Sequence, residues 1–75
     1  MQRAGTVVRL AQGLLVVRTD DEDAADIGTS VLDDALEEVG RVVDVFGPVE
    51  HPYLAVTPSD DLHLPALLGA TLYRR

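Results

Sequence analysis

Short apolar segments of strand type recur along this chain, and each is followed by glycine, proline or a cluster of acidic side chains. No window of about twelve residues shows the apolar spacing of an amphipathic helix. The pattern therefore predicts an all-β chain with a single helical turn at 34–38. The six predicted strands are 6–10, 14–19, 30–33, 39–46, 53–57 and 71–74.

Short strands without helices to cover a sheet need another way to protect their edges. Closure into a barrel pairs every edge. We therefore predict a small closed six-stranded β-barrel of the translation-factor/reductase type, as one domain over residues 1–75. A chain of 75 residues buries only about 60% of its unfolded surface, so the core is expected to be small.

The fourth predicted strand carries apolar side chains on both faces. Because side chains alternate along a strand, we expect Val43 and Val45 on one face and Val42 and Phe46 on the other. The barrel interior takes only one of these sets. The remaining set predicts an exposed apolar patch of the kind that marks a partner site, with cover by the loop at 62–68 as the alternative.

The charge of the chain is strongly one-sided. Thirteen Asp and Glu residues stand against six Arg and no Lys, which gives a formal net charge of −7. Affinity for nucleic acid depends largely on cationic neutralisation of phosphates, so direct RNA binding is disfavoured. We interpret the acidity as adaptation to concentrated salt, as in salt-loving archaea, with a basic partner as the alternative.

The sequence also indicates the cellular compartment of the protein. There is no cysteine, so neither disulfides nor thiolate metal sites are expected. The apolar runs are much shorter than the roughly 20 residues of a membrane helix, and the first residues are not followed by the apolar stretch of a signal peptide. We therefore expect a soluble, unexported, cytoplasmic protein that contacts neither membrane nor DNA.

No catalytic, cofactor or metal site is predicted. The acidic segment 20–26 lacks the central glycine and the bidentate Glu of a calcium-binding EF-hand loop. His51 and His63 have no second ligand at metal-binding spacing. Asp44, the carboxylate within an apolar strand, is expected to face water or to accept hydrogen bonds from backbone amides or an arginine.

The segment Gly40–Tyr53 resembles a known family. It reads G-R-V-V-D-V-F-G-P-V-E-H-P-Y, which is similar to the G-x-V-x-D-x-F-G-P-V-x-x-P-Y block of the Gar-type core subunit of box H/ACA ribonucleoproteins and of the Naf-type assembly factor. Weaker similarities lie at Gly5–Val8, Gly13–Arg18, Ile27–Gly28 and Leu68–Tyr73. The resemblance therefore covers nearly the whole chain.

The resemblance implies a noncatalytic protein-binding subunit of the particle that converts uridine to pseudouridine under guide RNA. Its partner would be the pseudouridine synthase subunit, and its role would be to assist substrate loading and product release. Guide RNA would be reached only through the particle. Rigid apolar and aromatic groups on one hairpin are typical of interface hot spots. The predicted partner-binding residues are Phe46, Gly47, Pro48, Val49, Pro52 and Tyr53.

Two other functions remain open from the sequence. A Naf-like assembly factor shares the same block, although such factors usually carry extensions beyond this length. A ribosome-maturation-type barrel that binds a ribosomal protein has a similar strand pattern. An enzyme is the weakest candidate, because no titratable pair converges in a predicted pocket.

Overall fold

The computed structural model of the chain describes residues 2–20, 24–59 and 64–74. Its strands are β1 (Gln2–Ala11), β2 (Leu14–Arg18), β3 (Ser30–Leu32), β4 (Glu38–Phe46), β5 (Tyr53–Pro58) and β6 (Thr71–Arg74). A short 3₁₀ helix, Leu64–Leu67, precedes β6. Within these residues, no helix is long and apolar enough to cross a membrane.

The strands form a closed antiparallel barrel in the order β1-β2-β5-β4-β3-β6. Each described strand pairs with two neighbours, and β1 closes the barrel against β6 by pairing from Gln2 to Thr6. That pairing explains why β1 begins four residues before the predicted strand at Thr6. The predicted closed six-stranded β-barrel is confirmed.

The barrel interior is filled by small and branched apolar side chains. Leu15 and Val17 of β2 pack against Leu54 and Val56 of β5, and all four are fully buried. The 3₁₀ helix directs its leucines at 64 and 67 toward the same core, so it does not cover the outer valines. The buried core cluster consists of Ala4, Val7, Leu15, Val17, Ala25, Val31, Val39, Val42, Leu54, Val56 and Leu72.

A β-bulge in β4 overturns the predicted alternation. The β4–β5 register skips Val43, so the strand carries one more residue than its partner at this point. Val42 before the bulge is buried, and Val45 after it packs against the core. Val43 and Phe46 are exposed instead. The predicted groupings of Val43 with Val45 and of Val42 with Phe46 are therefore both wrong, because simple alternation assumes a strand without a bulge.

A second bulge lies in β1. The β1–β2 register skips Val8, which is exposed although it lies between the buried Val7 and Leu10 at the core edge. Each bulge adds one valine to the outer surface without removing an inward residue. The apolar outer surface is therefore a product of both bulges together with the outward residues of regular pairing.

The β3–β4 connection is a side-chain-closed turn, and the predicted helical turn at 34–38 is wrong. Asp33 Oδ1 accepts hydrogen bonds from the backbone N–H groups of Ala35 (2.9 Å) and Glu37 (3.0 Å). The Asp33 N–H donates to the Glu37 carbonyl at 3.0 Å. Leu36 adopts a φ of 67°, in the left-handed region, which ends any right-handed turn.

This turn also concentrates negative charge. Asp34, Glu37 and Glu38 are exposed within a few residues of Asp33. Like charges at this spacing repel one another, and the repulsion weakens as the Debye length falls from about 10 Å at 0.1 M to about 3 Å at 1 M salt.

We expect the isolated domain to need molar salt to remain folded. Circular dichroism during dialysis to low salt measures this as loss of the β signal and a lower thermal midpoint. The double variant Asp34→Asn/Glu37→Gln removes two charges without touching the Asp33 hydrogen bonds, so it should lower the salt requirement. An unchanged β signal and thermal midpoint at low salt would show that the acidity has no such role.

Candidate functional site

The outer surface of β1, β2, β5 and β4 carries adjoining apolar side chains. Val16 and Ala55 are paired across β2 and β5, and each is only 7% exposed although neither belongs to the core cluster. Neighbouring outward side chains therefore cover them. The bulge valines Val8 and Val43, on the strands to either side, are 45% and 43% exposed. An apolar area of this kind on a small acidic protein indicates a partner surface.

A groove of about 300 Å³ runs along this surface, and we refer to it as the outer groove. It is lined by Val8, Arg9, Val16, Phe46 and Tyr53. Phe46 and Tyr53 are paired in the β4–β5 register, and their ring centroids lie 5.7 Å apart at an interplanar angle of 44°. Tilted aromatic pairs at this distance are favourable contacts. The two rings therefore form a stable wall for the groove.

The connection at 47–52 extends this wall beyond the barrel. Val49 is 76% exposed and Phe46 is 41% exposed, while Tyr53 is half-buried. Gly47 and Pro48 are exposed as well, and Pro52 is buried. Five of the six residues predicted to bind a partner thus reach the surface together. Pro52 is the one of the six that is buried.

Gly47 turns the chain out of β4. Its φ of 89° lies in the region that favours glycine. A Cβ atom at this position would lie 3.0 Å from Cδ2 of Tyr53. The glycine therefore serves both the turn and the close approach of the Tyr53 ring.

Thr19 holds the 47–52 connection at Pro52, where it joins β5, and this role is not predicted from the sequence. This buried residue donates two hydrogen bonds to the carbonyl oxygen of Pro52, from its backbone N–H at 3.1 Å and from Oγ1 at 2.7 Å. The two residues are 33 positions apart, so no local pattern relates them. A threonine directly after a strand is the only signal, and it is a weak one.

Asp44 has a structural role on the outer surface. It is exposed, and its Oδ1 accepts a hydrogen bond from the backbone N–H of Val45 at 2.8 Å. Both parts of the prediction, exposure to water and a backbone amide donor, are confirmed. The carboxylate satisfies a backbone donor next to the bulge, where regular pairing is interrupted.

The histidines and carboxylates of the described residues do not gather into a metal site. In the ranges 2–20, 24–59 and 64–74, no group of three His, Cys, Asp or Glu side chains could hold a metal ion. His51 is exposed on the 47–52 connection, and His63 lies outside the described ranges. What this surface offers a partner is apolar area, two aromatic rings and arginine side chains.

Comparison with known proteins agrees with the similarity seen in the Gly40–Tyr53 segment. The chain matches the Gar1/Naf1 RNA binding region over residues 1–74, all but the last residue. No individual curated protein matches the sequence. The match includes the barrel, the bulges at Val8 and Val43 and the 47–52 connection. The chain therefore belongs to the Gar1/Naf1 RNA binding region family.

Proposed function

We propose that this chain is a noncatalytic, Gar-type protein-binding subunit of the H/ACA RNA-guided pseudouridylation particle. It docks on the pseudouridine synthase subunit through the outer groove and the 47–52 connection. In this role it assists substrate loading and product release during rRNA modification. Family membership supports a place in an H/ACA particle, and the surface described above supports docking on a protein.

The observation that carries the proposal is the apolar outer surface around Phe46, Val49 and Tyr53. Val49 is 76% exposed on the connection between the aromatic residues Phe46 and Tyr53, so it adds little to the stability of the barrel. Side chains of this kind, held on rigid backbone, bind partners with little loss of conformational freedom. The turn at Gly47 and the Thr19–Pro52 hydrogen bonds supply that rigidity.

Direct RNA binding is the second candidate, because the family description names an RNA binding region. Neutralisation of phosphates requires several closely spaced cations. The chain has six arginines, no lysine and a formal charge of −7. The charge balance favours protein docking, with guide RNA reached through the particle. A Naf-like assembly factor would use the same protein-binding surface, since the matched family includes both types.

The acidic composition supports a further proposal about the organism and compartment in which the protein works. We propose that the protein works in the cytoplasm of a salt-loving archaeon, where concentrated salt screens its carboxylates. The dense charge of the β3–β4 turn is consistent with this. The salt dependence of folding described above is its direct test.

Addition of the subunit to a reconstituted guide-RNA particle is expected to raise multiple-turnover pseudouridine formation more than single-turnover formation. A subunit that takes no part in the chemical step acts by shifting a conformational equilibrium of its partner. A preference of about 1.4 kcal/mol for one state changes the populations tenfold. Both rates should be measured side by side under saturating substrate RNA.

The control is the same particle assembled with the Val49→Asp variant, which is designed to lose docking while the barrel stays folded. It should give the rates of the particle without the subunit. Equal stimulation of single and multiple turnover by the wild-type chain would argue against a role in loading and release. No stimulation of either rate would leave only a scaffolding role.

A further inference from the structure

The outer groove has an uneven charge distribution that points to the chemistry of its partner. Arg9 lines the groove itself, beside Val8 and Val16. Arg18 lines an adjoining depression of about 310 Å³ together with Val8 and His51. Both arginines are exposed. They bring two positive charges to the β1–β2 side of the apolar surface in a chain whose formal charge is −7.

These two arginines are not neutralised within the described chain. Among the residues described, the ion pair joins Arg3 Nε to Asp20 Oδ2 at 3.2 Å. Asp20 also lines the depression next to Arg18, but it is engaged by Arg3. Neither Arg9 nor Arg18 has a carboxylate partner in the ranges 2–20, 24–59 and 64–74. No carboxylate of the described residues therefore occupies these two guanidinium groups.

The β4 edge of the surface carries charges of both signs, because Asp44 and Arg41 are both exposed on this strand. The β1–β2 side, by contrast, presents Arg9 at the groove and Arg18 at the depression. A partner that covers the surface meets these charges at known strands, which helps to fix its orientation.

We propose that the partner presents carboxylate side chains to Arg9 and Arg18 around an apolar centre, so that the synthase surface is acidic where it meets β1 and β2. This inference rests on the proposed function, which supplies the synthase subunit as the partner. Arginine pairs bidentately with carboxylates and keeps its charge at all physiological pH values. Its guanidinium is less strongly hydrated than an ammonium group, which suits contacts made in concentrated salt.

A protein fits this surface better than RNA does. The two rings that would stack bases pack against each other at 5.7 Å. Two arginines are few for a backbone-tracking site, which depends on many phosphate contacts. An acidic protein surface needs only matched carboxylates at the rim and apolar groups at the centre.

The test uses three single charge reversals with the same change in net charge. Arg9→Glu and Arg18→Glu alter the positive side of the surface. Arg41→Glu is the matched control, because Arg41 is an exposed β4 arginine that pairs with Ser30 and Thr57 and lines neither the groove nor the depression. The Kd for the purified synthase subunit is measured by titration calorimetry at several salt concentrations. All measurements use salt at which each variant gives the wild-type circular dichroism spectrum.

We expect each groove-side reversal to raise Kd about tenfold at the lowest usable salt, because it replaces an attraction by a repulsion at the rim. The difference should shrink as salt rises. Arg41→Glu should stay within about twofold of wild type, as expected for a charge outside the interface. If the synthase carboxylate that faces the substituted position is replaced by arginine, the Arg9→Glu or Arg18→Glu variant should bind the synthase again.

Failure of the inference and failure of the proposed function give different results. If wild type binds the synthase but all three reversals behave alike, docking stands and the acidic partner surface is wrong. If wild type does not bind at any salt, both are wrong.

Guide RNA binding that is lost in Arg9→Glu and Arg18→Glu would assign the arginines to phosphates. A wild-type dimer in analytical ultracentrifugation that dissociates in the same variants would assign them to a second copy. Either result would overturn the inference.

Discussion

Replacement of Gly40 by alanine is expected to destabilise the barrel by about 3 kcal/mol or more, the upper range for overpacking of a well-packed site. Gly40 is buried in β4, where it pairs with Val31 and Pro58. A Cβ atom there would lie 2.3 Å from the Thr57 carbonyl oxygen and 2.8 Å from Cγ1 of Val56. The first neighbour is backbone, so no change of side-chain rotamer relieves the overlap. Urea unfolding in high salt measures the effect.

The matched control for this prediction is Gly13→Ala. Gly13 has a positive φ of 76° and no atom within 4 Å of the added Cβ. Alanine there meets backbone strain alone, which costs about 1 kcal/mol. If Gly40→Ala proves no more destabilising than Gly13→Ala, the close approach of β4 and β5 is not essential to the barrel.

Substitutions on the 47–52 connection are expected to have the largest effect on binding. Val49→Asp and Tyr53→Ala should each weaken binding to the synthase subunit by about 2 kcal/mol or more, the scale of an interface hot spot. Val49 is 76% exposed, so an aspartate there leaves the folded barrel unstrained but must be desolvated on binding. Tyr53 is half-buried against Phe46, and its removal opens the wall of the outer groove. Calorimetric titration with the purified subunit measures both.

Leu36→Asp provides the control for these variants. Leu36 is also an exposed apolar residue, but it lies in the β3–β4 turn, away from the outer groove. Its substitution introduces the same charge as Val49→Asp and should leave binding unchanged. Full affinity of both Val49→Asp and Tyr53→Ala would show that the interface does not centre on the segment 46–53.

Several features of this protein follow from local sequence alone. The strands predicted from apolar runs and turn residues agree with the six in the structure, because turn chemistry and β-branched runs act over short distances. The Gly40–Tyr53 segment also identified the family, since it is a long and specific pattern.

Other features depend on contacts between distant residues. The bulges at Val8 and Val43 arise from the register between strands, and they decide which valines face outward. The Asp33 turn, by contrast, is local: its carboxylate accepts hydrogen bonds from two backbone amides two and four residues away, and this replaces the predicted helical turn. Thr19 meets Pro52 only because β2 pairs with β5.

The difference between the features that local sequence predicts and those that depend on the fold has a simple physical cause. Strand type, turn positions and the family follow from the amino-acid sequence, because they depend on neighbouring residues and on backbone preferences within a few positions. That Arg9, Val16, Phe46 and Tyr53 share one groove depends on the fold, since four strands, β1 and β2 from one part of the chain and β4 and β5 from another, must pair before these side chains meet. Alternation along one strand shows which of its side chains share a face. Strand pairing, bulges and barrel closure determine which strands bring such faces together.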